Sequence, residues 1–142
     1  MNIPGPILVL DDDPDDHEII RMVCSKLQVN TSIHFFQEPS QLTDFLQNSD
    51  ELPFIILCDI NMPGVNGLEV REKICKNINL RGRSVPFIFF CTVASKLQVE
   101  KAFDLNAHGF FLKGQNLEET EKKLKVILEY WLKSKTPNGV KN

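Results

Sequence analysis

Four polar segments in this chain each end an apolar run, and together they carry the groups that handle a phosphoryl group. Asp11-Asp12-Asp13 follows Ile7-Leu8-Val9-Leu10, and Asp59 follows Phe54-Ile55-Ile56-Leu57-Cys58. Thr92 follows Phe87-Ile88-Phe89-Phe90-Cys91, and Lys113 follows Phe110-Phe111-Leu112. In an open parallel α/β sheet, ligands bind outside the carboxyl ends of the strands. Carboxylates, a hydroxyl and an ammonium at four such ends therefore converge on one site, and they suit a divalent cation with a phosphoryl group.

The intervening segments are the helices that such a sheet needs. Asp13 is placed to cap a first helix, with Pro14 at its first position and Asp15 and Asp16 in its first turn. Ile19, Ile20, Val23, Cys24 and Leu27 form its apolar stripe, and His17 reads as surface. Residues 32–36 read as a second strand. A second helix starts at a Ser40 cap, with Leu42, Phe45 and Leu46 inward. After the Asp59 strand, the turn formers of Asn61-Met62-Pro63-Gly64-Val65-Asn66-Gly67 lead into a helix over about 68–77, with Val70, Ile74 and Cys75 inward. Residues 78–84 read as a polar connection around Arg81-Gly82-Arg83. A helix over 95–105 buries Val99, Ala102 and Phe103. Asn106 and Gly109 turn the chain into the last strand. The last helix starts near Asn116 and turns Leu117, Leu124, Ile127, Leu128 and Trp131 inward. Glu119, three residues on, completes a capping-box pattern. Five strands alternating with five helices predict a doubly wound parallel α/β sheet.

Composition sets the frame. The chain of 142 residues fits one domain over 1–142, with a core from about 7 to 132 and a frayed tail from 134. A net charge of −3 argues against nonspecific nucleic-acid binding. No apolar run approaches the roughly 20 residues of a membrane span, and the N-terminus lacks a signal peptide pattern. Cys24, Cys58, Cys75 and Cys91 form no CxxC pair and read as small core residues of a reducing, cytoplasmic protein. His34 and His108 are scattered and read likewise as non-ligands.

The acidic start Asp11-Asp12-Asp13-Pro14-Asp15-Asp16, the segment Asp59-Ile60-Asn61-Met62-Pro63-Gly64-Val65-Asn66-Gly67, Thr92 and Lys113 together resemble the receiver domain of two-component response regulators. The resemblance runs from about Ile7 to Leu132, and the Asp59 segment is its most specific part. It implies a flavodoxin-like (βα)5 fold with strand order 2-1-3-4-5. It implies Asp59 as phosphoacceptor, with Mg2+ held by the carboxylates of Asp12 and Asp59 and the backbone carbonyl of Asn61. Asp11 would hold a metal-bound water. Thr92 and Phe110 would form the switch, and Lys113 would pair with Asp59 before phosphorylation. Asp15 and Asp16 read as a solvated helix start. Strand 5 lies about 14 Å from strand 1, so Lys113 must reach across Thr92 to the site.

The implied donor is a histidine kinase or a histidine phosphotransfer protein. The implied output is protein contact through the α4-β5-α5 face, roughly 95–132, toward a downstream protein target. The protein would be a monomer or a phosphorylation-dependent dimer. Only about ten residues follow the last helix, so the expectation is a stand-alone receiver, a signalling protein rather than an enzyme. A receiver-like scaffold that is never phosphorylated is the alternative. Three other readings fit poorly. An EF-hand would need Gly where Asp16 stands and Glu where Met22 stands. A haloacid-dehalogenase-like phosphatase would need Thr where Asp15 stands. A flavin carrier would meet Asp11-Asp12-Asp13 where it needs a phosphate cradle. The chain departs from the family in three places. Gly114 replaces the proline common after the lysine, Phe110 lacks the hydroxyl of the common tyrosine, and Val93 is bulky enough to narrow access to Asp59.

Overall fold

In a computed structural model, residues 1–77, 80 and 84–137 are described, and they form five strands alternating with five helices. The strands are β1 (Ile7–Leu10), β2 (Ile33–Phe36), β3 (Ile55–Cys58), β4 (Phe87–Cys91) and β5 (Gly109–Leu112). The helices are α1 (Pro14–Lys26), α2 (Pro39–Asn48), α3 (Gly67–Lys76), α4 (Lys96–Asp104) and α5 (Leu117–Lys133). All pairings are parallel and the order is β2-β1-β3-β4-β5, as the resemblance implied. The polar connection around Arg81-Gly82-Arg83 and the end of the tail, 138–142, lie outside the described residues.

The central strands read as unbroken apolar runs because both of their faces are covered. One face of the sheet, with Leu8, Leu10, Ile56, Cys58, Phe87 and Phe89, packs against α2, α3 and α4. The other, with Ile7, Val9, Ile55, Leu57, Ile88 and Phe90, packs against α1 and α5. Cys24, Cys58 and Cys91 are buried and all four cysteines are free, in keeping with their reading as core residues.

Helix starts follow their local chemistry. The Asp13 side chain accepts from the Asp15 amide with Pro14 at the first position of α1, as expected. The cap of α2 differs from expectation: Glu38 occupies that position, not Ser40, because Pro39 takes the first helical position. The Asn116 carboxamide caps α5 at the Glu119 amide, while the Glu119 carboxylate reaches back to the Gln115 amide.

Three side chains expected inside, Ile19, Phe103 and Leu117, are exposed, while Cys75 is half-buried with its Sγ 3.6 Å from the Leu105 carbonyl. Each lies at the margin of a helical stripe whose centre alone meets the sheet. Arg71, in contrast, is buried under α4. Its Nε donates to the Leu105 carbonyl at 3.0 Å and its Nη2 to the Asn106 carbonyl at 2.8 Å, where the carbonyls at the end of a helix favour a cation.

β5 is an edge strand. The Lys113 amide donates to the Cys91 carbonyl at 2.8 Å, so the Leu112 carbonyl faces away from β4, and there it accepts from Lys123 Nζ of α5 at 2.7 Å.

Candidate functional site

Register brings the acids together. Leu10 pairs with Cys58, so the next residues along, Asp11 and Asp59, leave the sheet side by side. The Asp59 amide donates to the Leu10 carbonyl at 2.9 Å, and the Asp11 amide to the Phe36 carbonyl at 3.0 Å. Both backbones are therefore fixed by the ladder, and their side chains converge beyond it. The loop after Asp59 then doubles back. The Gly67 amide donates to the Ile60 carbonyl at 2.9 Å, and a Cβ on Gly67 would overlap the Asp59 carbonyl. The second glycine of the motif is thus a packing requirement, because α3 begins against the backbone of Asp59.

One carboxylate oxygen from each of Asp11, Asp12 and Asp59 lies within 4.8 Å of the others. Asp11 is almost fully buried, at 1% exposure. One of its oxygens accepts from the Asp13 amide at 2.9 Å, and the other, Oδ2, stands 2.6 Å from Lys113 Nζ. Burial pushes the Asp59 carboxyl up to about 6, and the neighbouring Asp11 charge adds to the effect while Lys113 opposes it. Burial raises Asp11 as well, against the pull of Lys113. Two carboxylates held at higher pKa by burial, each with a neighbouring carboxylate adding to the rise, form a site that gains from a cation. The donors are hard oxygens, the set that Mg2+ and Mn2+ take.

Lys113 spans the sheet as required. Cys91 pairs with Leu112, so Thr92 and Lys113 are level, and the lysine chain crosses to β1. Its ion-pair partners differ from expectation: they are Asp11 and, at 3.0 Å, Asp16, where Asp59 was expected. Asp11 attracts it because it is the most deeply buried of the acids, and Asp16 meets it from the first turn of α1. Burial alone would lower the Lys113 pKa, but these two acids hold it above its ordinary value. Asp16 is therefore part of the site, while Asp15 is exposed as expected.

Thr92 is exposed at the end of β4. Asn61 turns its side chain toward the β4–α4 loop, where Nδ2 donates to the Val93 carbonyl at 2.9 Å. Its Oδ1 accepts from Gln98 Nε2 at 3.0 Å, while Gln98 also completes the Ser95 cap of α4. Phe110 is half-buried, with its ring centroid 5.7 Å from that of Phe89. His17, expected at the surface, is buried at 7% exposure. Its Nε2 is 2.6 Å from the Asp11 carbonyl oxygen, and its ring leans on Phe35. The spacing of His17, Ile20, Cys24 and Leu27 on one helical face carried that signal. The contacts of Asp16 and Gln98 join residues far apart in sequence, and no local pattern marks them.

Comparison with known proteins agrees with this geometry. The response regulator receiver domain family matches residues 7–125, and the chain belongs to that family. The response regulator Rcp1 of a Synechocystis species is 25% identical over 140 residues, which cover 95% of this chain and 94% of Rcp1. The Mn2+-bound structure of Rcp1 superposes with a TM-score of 0.81 over 94% of this chain and 99% of that one. The phosphorylated cyanobacterial phytochrome response regulator RcpA gives 0.83 at 22% identity, over 94% of this chain and 98% of RcpA. The chain is thus a two-component signalling domain, and Asp11, Asp12 and Asp59 fit a divalent cation. Among the described residues no helix is long and apolar enough to cross a membrane.

Proposed function

We propose that Asp59 accepts a phosphoryl group from a histidine kinase or histidine phosphotransfer protein, and that the protein then signals by contact with other proteins. The observation that carries this reading is the convergence of Asp11, Asp12 and Asp59 within 4.8 Å, with Lys113 on Asp11. An Asp59 carboxylate oxygen forms the new bond to phosphorus, and the bond from phosphorus to the donor nitrogen breaks. Asp11, Asp12, Asp59 and the Asn61 carbonyl would hold Mg2+, which neutralises charge on the incoming phosphoryl oxygens. Lys113 supplies a second positive charge, and the Thr92 hydroxyl donates to a phosphoryl oxygen. Ionised Asp59 is the nucleophile, so the burial that raises its pKa is opposed by the cation and the lysine.

Output follows from the far side of Thr92. Thr92 draws toward the phosphoryl group, and Phe110 moves into the space that it leaves. The α4-β5-α5 face then presents a changed surface, on which Phe103, Leu112 and Tyr130 are exposed. Only a difference in contacts between the two states can drive that shift. This reading is of a cytoplasmic protein. The test is intact-protein mass after acetyl phosphate and Mg2+, for wild type and Asp59→Asn. A gain of one phosphoryl group in wild type alone, dependent on Mg2+, supports the reading. With no gain from acetyl phosphate or from a phosphotransfer protein, the receiver-like scaffold replaces it.

A further inference from the structure

Lys113 is an ammonium with 9% of its side chain exposed, and it has two carboxylate partners, Asp11 Oδ2 at 2.6 Å and Asp16 Oδ2 at 3.0 Å. The two are unequal. Asp11 belongs to the cluster that fits a cation, whereas Asp16 lies outside it, on α1, with 21% of its side chain exposed. A cation at Asp11, Asp12 and Asp59 competes with the lysine for Asp11. If Asp11 were the only anchor, cation entry would leave a buried ammonium unpaired, which is strongly unfavourable.

We propose that Asp16 is a positioning residue that keeps Lys113 ion-paired inside the site when a divalent cation takes over Asp11. The inference rests on the cation reading given above. The place of Asp16 is fixed by the first turn of α1. The Asp13 side chain caps the Asp15 amide, the Asp13 amide is held by Asp11, and His17 bonds the Asp11 carbonyl. The carboxylate next to Lys113 is therefore held by the same turn that begins at the acidic cluster. Lys113 pivots between two acids and stays within reach of the phosphoryl position.

The experiment is calorimetric titration of the unphosphorylated full chain with Mg2+, which needs no chemistry. Wild type, Asp16→Asn and Asp15→Asn are compared, each also in a Lys113→Ala background, with circular dichroism to confirm folding. Asp15→Asn removes the same charge one residue away from an exposed position. The expected result is that Asp16→Asn weakens Mg2+ binding about tenfold, the size of one charge-assisted hydrogen bond. Asp15→Asn changes it less than about twofold, as a screened surface charge does. Without Lys113, Asp16→Asn behaves like Asp15→Asn. Asp16→Glu, which keeps the charge, restores most of the affinity and serves as the folded variant if Asn is not tolerated. In that case an Mg2+ affinity for Asp16→Glu about tenfold below that of wild type overturns the proposal. Equal effects of Asp16→Asn and Asp15→Asn overturn it, as does a penalty that persists without Lys113. Absence of Mg2+ binding by wild type removes the cation reading and the proposal with it, an outcome distinct from a neutral Asp16→Asn.

Discussion

His17 Nε2 lies 2.6 Å from the backbone carbonyl oxygen of Asp11, so the first turn of α1 is bonded directly to the strand end that bears the most buried acid. The imidazole is also packed on Phe35, with ring centroids 5.0 Å apart. His17→Ala removes a buried hydrogen bond and leaves a small cavity. It should cost about 2 kcal/mol. A thermal melt with and without Mg2+ checks this: the variant should melt lower in both and gain less from the cation, because Asp11 is less firmly placed.

Asp59 should destabilise the metal-free fold once it is ionised. Its pKa is about 6 in the fold against 3.8 as the ordinary value, so the folded chain keeps a proton that the unfolded chain has released. Stability should then fall as pH rises from about 4 to 6, and the full cost should persist above that. A shift of this size corresponds to about 3 kcal/mol in a closed site, and partial exposure reduces it to roughly 1 kcal/mol. Asp59→Asn should therefore melt higher than wild type near pH 7.5 without metal. The gap should narrow as pH falls from about 6 toward about 4, and it should close when Mg2+ is added. A constant gap at every pH would assign it to packing instead.

Gly114 stands where the family commonly has proline, and the structure supplies a reason. A Cβ at this position would overlap the Glu119 Cβ and the Thr120 amide nitrogen, because the start of α5 lies directly on the backbone here. Gly114→Ala should cost about 2 kcal/mol through overpacking, and Gly114→Pro more. Chemical denaturation of the two variants measures the order. If Gly114→Pro equalled wild type, α5 would have room that this packing denies.

His108 makes the opposite demand on pH from Asp59. Its Nδ1 accepts from the Phe87 amide at 3.0 Å, a bond that the protonated ring cannot accept. Burial lowers its pKa, and the Arg71 charge nearby lowers it further. The unfolded chain therefore takes up the proton first, and stability should fall as pH drops below the ordinary value of 6.5. His108→Asn keeps an acceptor without the titration. Between about pH 7 and pH 5 its melting temperature should fall less than that of wild type.

Val93 leaves its side chain exposed at the mouth of the site while its carbonyl holds Asn61. Val93→Ala keeps the carbonyl and clears the side chain. Labelling by acetyl phosphate should speed up severalfold, and an unchanged rate would show that the valine does not limit access.

Four of the five strands were legible because buried parallel strands announce themselves as unbroken apolar runs, each ended here by a reactive side chain, while the order of the sheet came from the resemblance to the receiver family. Ile7–Leu10 and Phe87–Cys91 match their expected bounds for that reason. Caps were legible where one residue decides them, as at Asp13 and Asn116. At α2 the signal of Pro39 outweighed that of Ser40. The margins of helical faces were harder. Phe103 and Leu117 lie at angles where periodicity does not say whether the neighbouring element extends far enough to cover them. Least legible was the choice of partner within the site. Sequence placed Lys113 at the right end of the right strand, but its preference for Asp11 and Asp16 depends on burial and on the entry angle of α1.

The bond from Lys123 to the Leu112 carbonyl has a meaning for the molecule among its own copies. The free side of an outermost strand is a template on which a further strand from another chain can add. Here an ammonium occupies the last outward carbonyl, and lysine is the residue that most often discourages such growth. At that end of β5 the lysine opposes extension of the sheet by a strand from another chain.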